Sequence, residues 1–143
     1  MEEPFKTVVA GMMCGGLMGM LFVGHLSLLL VYSPPRVLKA RATESKVSGL
    51  ITVLTLTTVL SWNIVAVVMA FVVQATQSSN QQGFLLVPSP AYLFVVGFVI
   101  LLIAVPGLVF FRDKKKHLGI ELVLFASIFG LLMPNLVVRI HQG

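Results

Sequence analysis

The sequence predicts an all-α membrane protein with four transmembrane helices, on three observations. Apolar residues make up 57% of its 143 positions and charged residues only 10%, whereas soluble domains carry roughly a quarter charged residues. No charged side chain occurs from Val47 to Phe111. The cations cluster at the two ends of that stretch, with Arg36, Lys39, Arg41 and Lys46 before it and Arg112, Lys114, Lys115 and Lys116 after it. A water-exposed surface needs charge. A gap this long bounded by basic clusters fits passage through lipid, with the chain returning to water at the clusters.

Each element follows from a run and its punctuation. The first segment spans about 7–32 and stops at Ser33-Pro34-Pro35, because proline lacks a helical N–H and disfavours helical backbone in the residue before it. The second spans about 48–74. Its Val and Thr content would suit a strand, but a membrane-spanning strand takes only about 9–11 residues in strict alternation, so helix is the reading. The third spans 91–111, after Pro88-Ser89-Pro90, and the fourth 118–138. At 1.5 Å per residue such helices measure roughly 30–40 Å, enough to cross a ~30 Å hydrocarbon core. All four are apolar around their whole circumference, unlike the one-sided helices of soluble folds. One domain, 1–143, accounts for the chain.

Orientation follows from Lys and Arg in short connections. The connections 33–46 and 112–117 are basic, while 75–90 carries no charge. Both basic loops are therefore expected in the cytoplasm, with both termini on the opposite side. Glu2-Glu3 suits a translocated N-terminus; Lys6 and Arg139 are minor exceptions.

The same pattern removes several functional classes. A net charge of +5 raises nucleic acid as a partner, but the basic clusters lack interleaved aromatics and any nucleic-acid motif. They suit anionic lipid headgroups instead, at roughly 1 kcal/mol per cation. Cys14 is the lone cysteine, so an internal disulfide framework is out. No phosphate loop, Ser/His/Asp set or intramembrane carboxylate pair is present. The chain is expected to be neither an enzyme nor a holder of cofactor or metal. Cys14, Met18 and His25 are residue types that copper accepts; Cys14 and His25 stand about 16 Å apart along a helix, too far for one site.

The candidate functional residues fall into three groups. Gly11, Gly15 and Gly19 recur every fourth position in helix 1, with Gly16 beside them. They form a side-chain-free groove that another helix can approach closely, in the same chain or in a partner. His25, Asn63 and Glu121 are the intramembrane polar residues. Asn63 is expected to bond a neighbouring helix. Glu121 is expected to pair with His25 at comparable depth, or to lie one turn inside helix 4, where the helix dipole favours a carboxylate. The third group is the eight cytoplasmic cations named above. Helix 2 adds a hydroxyl stripe, Ser48, Thr52, Thr55 and Thr58, satisfiable by carbonyls four residues back. Pro106-Gly107 and Pro134-Asn135 are expected to bend helices 3 and 4 and free carbonyls.

The functional expectation is a non-enzymatic integral membrane subunit or assembly factor, packing on other membrane subunits or on itself through the glycine face. The alternative is a homo-oligomeric channel or transporter that uses Glu121, Asn63 and the threonine stripe.

Overall fold

A computed structural model describes residues 2–32, 44–76, 87–110 and 112–143. Four helical spans cross the fold: α1 (Glu2–Tyr32), α2 (Glu44–Thr76), α3 (Pro90–Phe110) and a fourth made of α4 (Lys115–Ser127), a π-helical turn (Ile128–Leu132) and α5 (Met133–Gln142). No strand occurs among the described residues. Each span contains a helix long and apolar enough to cross a membrane. The protein is an all-α membrane-type fold.

Most helices outrun the lengths expected from hydropathy, because polar residues extend them past the lipid-compatible core. α1 begins five residues early, at Glu2. Glu2 and Glu3 sit in its first turn, where acidic groups oppose the helix dipole, and Pro4 there loses no internal hydrogen bond. α2 begins at Glu44, so Lys46 lies on its first turn rather than in a loop. Arg36, Lys39 and Arg41 lie outside the described residues. α3 starts as the sequence suggests: the Ser89 hydroxyl accepts from the Tyr92 N–H at 3.3 Å, and Pro90 takes the first helical position. α4 begins at Lys115, so Lys115, Lys116 and His117 are helical and the second basic turn shrinks to its first residues.

The spans run alternately up and down. Thr7 of α1, Gln74 of α2 and His141 of α5 meet at one end. His25 of α1, His117 and Glu121 of α4 meet at the other. Both termini therefore share one end, and Arg112, Lys115 and Lys116 stand exposed at the opposite end.

The core is built on residues four apart. Ala10, Cys14 and Met18 of α1 are buried against Phe125, Phe129, Met133 and Val137 of the fourth span and Ala66, Met69, Ala70 and Val73 of α2. Cys14 and Met18 thus serve as compact apolar filling. The row next to them, Gly11, Gly15 and Gly19, faces α2. A Cβ on Gly11 would lie 2.7 Å from the Val67 Cα, and one on Gly15 would lie 2.8 Å from the Asn63 Cα. The groove is occupied by α2 of the same chain. Gly16 has no such neighbour.

α3 stands apart. Only 11% of its most apolar window is buried, against 44% for the fourth span. Its anchors are Tyr92 and Val96.

Candidate functional site

Glu121 was expected within one turn of a helix N-terminus. Because α4 starts at Lys115, Glu121 lies about 9 Å into the helix, beyond the first turn where the dipole is felt. His25 lies about 10 Å from the basic end of α1. Matched depth brings the two together: Nδ1 of His25 bonds Oε1 of Glu121. Of the two expected environments for Glu121, the structure shows the pair.

His117 completes the site, although hydropathy alone places it in the basic turn. It precedes Glu121 by four residues, so both side chains leave the same face of α4. Its Nδ1 lies 2.7 Å from Nε2 of His25. Both ring nitrogens of His25 are therefore engaged, one by a carboxylate and one by an imidazole. His25 and His117 thus stand at matched depth as direct hydrogen-bond partners. The sequence signal was His117-x-x-x-Glu121, which becomes visible once the helix is started three residues earlier.

The chain of groups has two self-consistent forms. With Glu121 ionised, His25 donates from Nδ1 to the carboxylate and accepts at Nε2 from the His117 Nδ1–H. With one proton added at His117 Nε2, each hydrogen bond can reverse: His117 Nδ1 accepts from His25 Nε2–H, and His25 Nδ1 accepts from the Glu121 hydroxyl. Imidazole performs this exchange because one nitrogen accepts while the other donates. His25 and Glu121 are only 20% and 12% exposed, so solvent does little to interrupt the path. Oε2 of Glu121 is buried and has no hydrogen-bond partner among the described residues.

Beside this chain lies a cavity of about 90 Å³ with an almost wholly apolar surface, bordered by His25, His117 and Glu121 and by Phe22, Leu26, Trp62, Ile103 and Phe125 among others. Most of its lining comes from α1 and α4, with Ile103 and Gly107 from α3. Trp62 holds the deep end through ring contacts with Phe22, Phe125 and Phe129 at centroid distances of 5.9, 5.6 and 5.9 Å.

No family model, curated protein or solved structure matches the chain. The site therefore has to be read from its own chemistry.

The remaining candidates are placed elsewhere. Asn63 does not reach across to another helix: its amide donates to the Val59 carbonyl of α2 at 2.8 Å. Thr55 and Ser61 donate to carbonyls four residues back, at 2.7 Å each, so these two α2 hydroxyls are satisfied locally; the Ser48 side chain lies outside the described residues. No group of three or more His, Cys, Asp or Glu among the described residues is arranged to hold a metal ion. Pro134 does free a carbonyl. In α register the Met133 N–H would reach Phe129; in the π-turn it reaches Ile128 instead, and Pro134 has no N–H to offer next. The Tyr92 hydroxyl of α3 donates to the Phe129 carbonyl, and this bond ties α3 to the bundle.

A second polar cluster at the terminal end was also missed. The buried Thr7 hydroxyl donates to Gln74 Oε1 at 2.7 Å and lies 3.2 Å from His141 Nε2, which in turn is 3.1 Å from Glu3. It staples three spans. Between it and the Glu121 chain stands the apolar core of Cys14, Met18, Met69 and Phe129.

Proposed function

We propose that this chain is a non-enzymatic membrane protein that takes up one proton at His117, His25 and Glu121 and couples it to occupation of the adjoining cavity, as a carrier rather than an open channel. The observation that carries this reading is the double engagement of His25, with Glu121 on one ring nitrogen and His117 on the other. What marks His25 out is that both of its partners are themselves titratable side chains, so a proton can pass along the row. The apolar core between the two polar clusters argues against passive conduction, since protons cross lipid-like material poorly without a chain of donors and acceptors.

The test is infrared difference spectroscopy of the reconstituted protein between about pH 4 and 10, a window that covers carboxyl and imidazole titration. A protonated-carboxyl band absent from Glu121→Gln should appear on acidification, and His25→Phe should shift its midpoint. Vesicles holding the wild type should show no voltage-driven proton leak. A spectrum identical in wild type and Glu121→Gln would remove the reading.

A second reading, a subunit of a larger membrane assembly, is favoured by α3. Leu93, Phe94, Phe98, Leu101 and Leu102 are all exposed on this weakly buried helix, and Gly97 has open space around it. A partner helix would then dock on α3, since Gly11, Gly15 and Gly19 already hold α2. Gly97→Leu should abolish co-purification of that partner in mild detergent while leaving the monomer folded; retained partners would reject the assignment. In either reading the exposed Arg112, Lys115 and Lys116 suit anionic lipid headgroups.

A further inference from the structure

We propose that the cavity beside Glu121 binds a lipophilic cation with N–H donors on its head, of the primary alkylamine class, in exchange for the proton held by the relay. This inference rests on the proton-coupled reading and names the occupant. Four observations select the class. Oε2 of Glu121 is buried without a partner, and a carboxylate oxygen is satisfied only by a donor. An ionised Glu121 makes the site negative, which disfavours carboxylates and phosphates as occupants. The remaining walls are apolar, with Trp62 presenting the aromatic surface that cations favour. Finally, α1 and α3 both line the cavity and scarcely touch each other, so an alkyl tail can leave between them into lipid.

Size agrees with that division. A cavity of roughly 150 Å³ takes a benzene-sized group, so one of about 90 Å³ holds an ammonium head and the first methylenes but not a long chain. The exchange balances in atoms and charge. The alkylammonium enters, Glu121 gives its proton to His25 Nδ1, His25 Nε2 gives its own to His117 Nδ1, and His117 releases one from Nε2. The carboxylate then pairs with the ammonium through a charge-assisted hydrogen bond.

Trp62 is the chain's single tryptophan and reports on this cavity directly. Octylammonium added to the reconstituted protein should change its emission saturably. Apparent affinity should fall about tenfold per pH unit on the acid side, since one proton leaves for each ligand bound; the amine itself stays charged throughout, with an ammonium pKa near 10. Octanol, octanoate and octyltrimethylammonium should each bind more than about tenfold more weakly, lacking either the charge or the N–H donors. Equal binding of any of the three overturns the assignment. Glu121→Gln should lose octylammonium binding, and Glu121→Asp, which keeps the charge, should weaken it while preserving the pH dependence. Ile103→Phe, which narrows the cavity without adding a second indole, should weaken binding yet leave the infrared carboxyl band titrating. A wild type whose carboxyl titrates but whose Trp62 never responds saturably defeats this inference alone; a wild type with no titrating carboxyl defeats the relay beneath it.

Discussion

Two adjacent glycines in α1 have opposite meanings. A methyl group on Gly15 would meet Ala66 Cβ, Asn63 Cα and the Trp62 carbonyl oxygen, each at 2.8 Å, while one on Gly16 would meet nothing within 4 Å. Gly15→Ala should therefore lower the thermal unfolding midpoint, with an overpacking penalty of about 1–3 kcal/mol. Gly16→Ala should leave the midpoint unchanged or raise it slightly. Equal effects at the two positions would mean that α1 and α2 are not in this close approach. The sequence put both residues in one candidate face, since Gly16 neighbours the repeat. Only the direction from which α2 arrives separates them. Asn63 teaches the same lesson. Its polarity and depth were legible, but its bond to the Val59 carbonyl of its own helix was not.

At the scale of the element, the π-turn of the fourth span and the α3 hydroxyl form one device. Tyr92→Phe leaves the Phe129 carbonyl without its donor and should cost about 1–3 kcal/mol, the range for an unsatisfied buried polar group. Pro134→Ala restores an N–H at the position that π register directs toward residue 129. In that background Tyr92→Phe should cost less, and unfolding measured for the four variants of the cycle reports the difference as a coupling. Additive penalties would show that the proline is not what frees the carbonyl. The sequence marked Pro134-Asn135 as a bend that exposes backbone oxygen. It did not show which oxygen or who fills it, because the donor sits 37 residues away on another span. The Glu121 site depended on an element boundary in the same way. Hydropathy ends where lysines begin, but a helix can continue through lysines in water, and that extra turn sets His117 on the Glu121 face.

The whole molecule is an antiparallel four-span bundle with its termini together at one end, opposite the basic turn. In cells, Glu2→Cys and Gln142→Cys should react with a membrane-impermeant maleimide from outside, and Lys116→Cys only after permeabilisation. Cys14, fully buried, should stay unlabelled in each case. Labelling of Glu2→Cys and Lys116→Cys from the same side would contradict the bundle itself.

Residue order alone determined four helices long and apolar enough to cross a bilayer, since both the long charge gap and the clustering of cations are properties of the chain that need no partner in space. Which polar groups meet was settled by assembly: Glu121 stands 96 positions from His25, and no local pattern encodes a contact over that span. The outcome turned on helix rotation and depth, which are fixed by glycine-lined close approach and by interlocking core side chains. If His25 does not lie against Glu121 in the folded protein, the carrier proposal has no foundation.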